Sequence, residues 1–212
     1  MGSRDKQLAV VERHAEAVLR AFGLFDMWPN ASVLELARAC GVEVLHYDAH
    51  PTLLGSSRSL LVEYCGHRTI ALARELDPAV GRWEVLLRVS QHLLCLLERR
   101  GREPKAVAPH PEPRLAALGL CVVPDQAGAI SLALALALPT EMLCEELETR
   151  LTGNAGDIAQ ITNVLAATAE DFAVPLPVLR KKLELLRGTS WLQDGVPLAA
   201  KLSAGEAAAA RA

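Results

Sequence analysis

Apolar and polar positions alternate along this chain with two different periods. Residues 6–22 place Leu8, Val11, Ala15, Val18, Leu19 and Phe22 on one side, with Glu12, Arg13, Glu16 and Arg20 between them. That is the spacing of an amphipathic helix, and Gly23 ends it. Asn30-Ala31-Ser32 opens a short helix over residues 33–40, with Glu35 in its first turn and Gly41 just past its end. Residues 42–46 then read as a strand. Pro51, Gly55 and several serines make 48–59 a loop. Residues 60–64 and 69–73 are β-rich runs joined by Cys65-Gly66-His67-Arg68. They form a predicted hairpin and, with 42–46, a small sheet of about three strands.

The longest single pattern is GRWEVLLRVSQHLLCLLER at 81–99. Val85, Leu86, Leu87, Val89, Leu93, Leu94, Leu96 and Leu97 leave only a thin polar strip. A helix apolar on nearly every side belongs at the centre of a core. Asp77-Pro78 and Gly81 read as breaks before it. Residues 100–113, rich in Pro and charge, read as an exposed loop. After an ambiguous stretch, 120–123 reads as a strand. The run up to Leu138 alternates Leu and Ala, the period of a strand. Leu and Ala favour helix, however, and β-branched residues are nearly absent, so a buried helix is expected. An amphipathic helix with Glu141, Glu145, Glu146 and Glu148 covers 140–151. Asp157 caps another running to 171, and a last helix starts at 174 and ends near Arg187. The Ala-rich end is expected to fray. The expected fold is α+β: one mostly helical domain with a small sheet, built around the 81–99 helix.

Composition narrows the functional classes. The 212 residues are enough for one good-sized core, with 51% hydrophobic and 22% charged positions. A net charge of −3 gives no global attraction to nucleic acid or anionic membrane. Aromatic residues are 4%, too few for a base-stacking surface. The five cysteines show no CxxC, and the N-terminal stretch is charged throughout, so no secretory signal is expected. Free thiols in a reducing cytosol follow. The apolar run 127–138 is too short to span a bilayer and stops at Pro139.

Taken in order, these elements resemble the ImmA/IrrE family of bacterial zinc peptidases. Residues 32–44, SVLELARACGVEV, are similar to the family's helix-glycine-strand unit, followed by Gly55 and the hairpin. Arg82-Trp83 matches the start of the family's HExxH helix, and Leu93-Leu94 its later turn. Gly128-Ala129 through Leu138-Pro139 occupies the place of a downstream helix that ends in proline. Phe172-Ala173-Val174-Pro175 matches a link between two final helices. The resemblance implies a zincin-like domain over 1–187, with a peptidase-like core at 6–151, a helical pair at 157–187 and a weakly structured tail at 188–212.

The chemical positions differ. The first zinc histidine falls on Leu87, the general base on Arg88, the second histidine on Gln91, and the downstream acidic ligand on Gly128. Zinc hydrolysis needs His or carboxylate ligands and a base for the bound water. Leu and Gly supply no side-chain ligand, and Arg is cationic at any physiological pH. Shifting the register to bring His92 onto the second histidine puts Arg88 and Val89 on the first two motif positions. What the resemblance implies is a degenerate peptidase scaffold, without metal or other cofactor, acting in the cytoplasm as a regulatory protein-binding module. Its implied partner is an XRE-type helix-turn-helix repressor, and no membrane is involved.

Two rival readings come from single clusters. His92 and Cys95, three residues apart, share a helix face and form half of a rearranged metal site in an active metallohydrolase. The plainer reading is a core-edge histidine with one hydrogen bond beside a small buried thiol. Arg180-Lys181-Lys182 gives residues 157–186 the look of a DNA-binding helix pair. The neighbouring Glu170-Asp171 favours a helical pair with one solvated basic face. Arg88, charged on an oily helix, needs a partner. Glu63, Glu84 and Asp125 are the candidates, ahead of an anionic ligand in a relic cleft.

Overall fold

The computed structural model describes residues 3–48, 57–99, 108–109, 116, 121–123, 128–151, 158–187 and 189. The fold is α+β and mostly helical. Among the described residues, α-helices span Ser3–Ala21 (α1), Val33–Ala39 (α2), Pro78–Arg99 (α3), Ala129–Ala137 (α4), Thr140–Leu151 (α5), Ile158–Asp171 (α6) and Leu176–Leu186 (α7). Strands span Glu43–Tyr47 (β1), Ser59–Tyr64 (β2), His67–Ala73 (β3), Ala108–Pro109 (β4) and Cys121–Val122 (β5). The chain divides into two compact units, residues 19–133 and residues 1–18 with 134–212.

The first of these units holds the sheet, in the order β1-β3-β2-β5-β4. It has five strands where the sequence predicted about three. β5 lies within the strand expected at 120–123, whereas β4 falls in the stretch expected to be loop and, at two residues, is too short to leave a period-two pattern. The hairpin of β2 and β3 is as expected, closed by a two-residue turn. Cys65 (φ 49°) and Gly66 (φ 80°) are both left-handed there, the conformation that matches the twist of the flanking strands. β1 pairs with β3 in parallel, Val44 opposite Ile70, with β2 lying between them in the chain. Leu61, Ile70 and Leu72 are buried on one face of the sheet, and Val62 and Ala71 on the other.

Helix α3 packs on β2, β3 and α2. Asp77-Pro78 does not break the chain before it but starts it. Asp77 Oδ1 accepts the N–H groups of Ala79 (2.9 Å) and Val80 (3.3 Å), and Pro78 sits where no N–H is needed. The helix is not apolar-buried all round. Val85, Leu86, Val89 and Cys95 are buried together with polar Ser90, Gln91 and His92, while Leu96 and Leu97 are exposed, Leu97 by 53%.

The other unit is helical. α5 packs on α6, and α6 on α7. Leu143, Leu147 and Leu151 of α5, Ile161 and Ala169 of α6, and Val178, Leu179, Leu183 and Leu186 of α7 are buried. The buried helix expected up to Leu138 is α4 and the turn after it, where every residue from 132 to 138 is buried. α6 ends on Ala173 (φ 48°), with Val174 N–H donating to Ala169 C=O at 2.9 Å and Ala173 N–H to Glu170 C=O at 2.9 Å. This is the double-bonded helix stop usually built on glycine. α1 closes the same way at Gly23, and α2 at Gly41. The proposed cap Asp157 and the tail from 190 on lie outside the described residues.

Candidate functional site

Alternation along β2 and β3 decides which polar side chains face α3. Arg68 shares a face with buried Ile70 and Leu72, and Ser59 with buried Leu61. Both point at α3, the helix that carries Leu87, Arg88 and Gln91. Two connected hydrogen-bond networks result.

The first runs through Arg88. Its Nε donates to Ser59 Oγ at 2.9 Å, its Nη2 to Ser59 C=O at 2.9 Å, and its Nη1 to Gln91 Oε1 at 3.0 Å. Ser59 Oγ in turn donates to Glu84 Oε2. Gln91 Nε2 donates to the Val123 carbonyl at 2.7 Å, just past β5. The residues standing at the base and second-histidine positions are therefore bonded to each other and to the sheet. Of the three carboxylates expected to serve Arg88, Glu84 joins it through Ser59 and Glu63 is bonded to Arg68. Asp125 lies outside the described residues.

The second network runs through His92. Arg68 Nη1 lies 3.2 Å from His92 Nδ1, and His92 Nε2 lies 3.2 Å from the Cys40 carbonyl. A guanidinium only donates and a carbonyl only accepts, so Nδ1 is the acceptor and Nε2 carries the hydrogen. Arg68 Nε also donates to Glu63 Oε2 at 2.8 Å, with side-chain exposures of 5% and 16%. His92 is thus more than a core-edge residue with one hydrogen bond: both ring nitrogens are engaged. Cys95 is buried one turn later. Among the described residues no group of three or more His, Cys, Asp or Glu side chains could hold a metal ion.

The remaining motif positions have structural uses. Leu87 is half-buried. Gly128 precedes α4 with φ +93°, a conformation an acidic side chain would adopt only under strain. A Cβ there would meet Leu94 Cδ1 at 3.9 Å. Arg82, the start of the motif helix, lies over the Trp28 ring at 4.6 Å and donates through Nη1 to the Ala31 carbonyl at 2.9 Å. Burial lowers its pKa to about 10.

The basic run at 180–182 separates into two exposed residues and one buried one. Arg180 and Lys181 face solvent, whereas Lys182 is 1% exposed and paired with Glu12. A helix-surface DNA footprint therefore loses one of its three cations.

Ser59, Arg68 and the Cys40 carbonyl were not singled out by the sequence pattern, and Glu63 was expected on Arg88 and is found on Arg68. The signal for Arg68 was its alternation with Ile70 and Leu72. It is hidden when the strand is started at Thr69, which leaves Arg68 in the turn. No protein-family model matches the chain, and no curated protein matches it.

Proposed function

We propose that this chain is a catalytically silent relative of the ImmA/IrrE peptidases, a cytoplasmic regulator that binds a protein partner instead of cutting it. The partner class is an XRE-type helix-turn-helix repressor. The order of elements supports the relationship: helix, helix-glycine-strand, hairpin, then a long helix beginning Arg82-Trp83. The observation that carries the loss of chemistry is the bonding of Arg88, Gln91 and His92. Arg88 and Gln91 tie the helix to Ser59 and Val123, and His92 has a donor on one nitrogen and an acceptor on the other. A metal at His92 would have to displace Arg68 Nη1 or the Cys40 carbonyl, at the cost of a buried hydrogen bond. Among the described residues no helix is long and apolar enough to cross a membrane.

Zinc analysis of the purified protein tests the reading. It predicts less than stoichiometric zinc after dialysis against a weak chelator, and an intact repressor after co-incubation. One tightly held zinc per chain, or cleavage of the repressor lost in His92→Ala, would establish the rival hydrolase instead.

A further inference from the structure

Residues 5–18 of α1 belong to the helical unit, yet among their described side chains Ala15 alone is fully buried. The contrast with α5 and α7 is large, since each of those helices buries a row of leucines. Glu12 joins this part of α1 to both α5 and α7. Its Oε1 accepts from Nζ of Lys182 on α7, and its Oε2 accepts the backbone N–H of Thr140, the first residue of α5, at 3.2 Å. The residue before Thr140 is Pro139, which has no side-chain acceptor. The open N–H groups of α5 therefore receive an acceptor from 128 positions away. A carboxylate there also meets the positive end of the helix dipole.

The Lys182 side chain is 1% exposed and that of Glu12 12%. Cys144, one turn into α5, is the other titratable neighbour of Lys182. Its thiol is pushed up by burial first and then by Glu148, so it stays neutral and leaves the countercharge to Glu12. Removing either charge strands the other in an apolar interior. The buried leucines of α5 and α7 belong to those helices themselves. The cheapest relief is therefore for the thinly attached segment of α1 to lift and admit water, with the rest staying packed.

We infer that Glu12 is a latch: its contacts to Lys182 and to the start of α5 hold the first part of α1 on the helical unit, and that segment opens locally when the pair is broken. The test is hydrogen exchange on the full chain. In Glu12→Gln, amides of residues 5–16 exchange about 100-fold faster than in the wild type, while those of 143–150 and 178–186 keep wild-type rates. Acceleration of all three stretches alike, or of none, overturns the inference. A measurement on the wild type does not depend on the variant folding. In low urea, amides of 5–16 exchange through an opening nearly insensitive to denaturant, and those of 178–186 only through a urea-sensitive one. A single shared urea dependence for both sets refutes the latch.

Discussion

Replacing Arg68 by Met tests the second network in energetic terms. The side chain keeps its length and loses its charge, which removes two bonds at once: the 2.8 Å contact to Glu63 and the 3.2 Å contact to His92 Nδ1. Glu63, at 16% exposure, loses its contact to Arg68. Removing one partner of a buried pair costs about 3–5 kcal/mol, because the remaining charge is uncompensated. The orphaned Nδ1 belongs to the same network, so its cost of about 1–3 kcal/mol does not simply add. Both side chains are far less than a third exposed, so solvent screening discounts little. For a chain of this size the loss corresponds to a fall in Tm of about 6–20 °C. Urea unfolding followed by the fluorescence of Trp28 and Trp83, which lie in the same unit, measures it. The double variant Glu63→Leu/Arg68→Met removes both charges and should recover most of the loss. It remains short of wild type by about 1–3 kcal/mol for His92 Nδ1. A loss below about 1 kcal/mol in Arg68→Met would refute the reasoning, since that is the size of an exposed pair.

Thiol reactivity should follow burial. Cys65, exposed at the hairpin tip, reacts first with a disulfide reagent at pH 8, and Cys40, whose thiol is pushed up to about 11 by burial, reacts slowly until the protein unfolds. The sign for stability follows. Below the ordinary thiol value of 9.0 both folded and unfolded chains hold the proton, and Cys40 contributes no pH dependence. As pH rises from there through about 11, the unfolded chain releases the proton first and stability is lost. Replacing Cys40 by Ser should flatten that part of a pH–stability profile. Ala173→Gly should stabilise the end of α6 by about 1 kcal/mol, because Ala173 sits at φ 48°. Thermal unfolding reads it, and an unchanged or lowered Tm would count against the helix-stop geometry.

Much of the fold was legible from spacing. The amphipathic period at 140–151 and the Leu/Ala run before it mark helices that form where expected, because side-chain burial repeats with the backbone. Gly23, Gly41 and Gly66 were legible as chain-reversal points, and each has positive φ. Asp77-Pro78 was ambiguous by itself, since the same dipeptide ends one element and starts the next. Only the helix that follows shows the Asp77 oxygen serving Ala79 and Val80. The candidate site was half legible. Arg88 and Gln91 stand out in the chain as polar residues on an oily helix, but their partners Ser59 and Val123 lie about thirty residues away in sequence, a separation local pattern does not carry.

By itself the sequence determined the helices and the strands β1, β2, β3 and β5, because period, propensity and turn chemistry act over a few neighbours. Three things were decided only by tertiary structure. β1 pairs in parallel with β3 although β2 lies between them in the chain, a pairing across sequence that no local period carries. Arg68 and His92 are buried and bonded to each other, which depends on β3 and α3 meeting face to face. Lys182, in a run of three cations, is the one buried, because Glu12 from the far end of the chain supplies the charge that makes its burial tolerable.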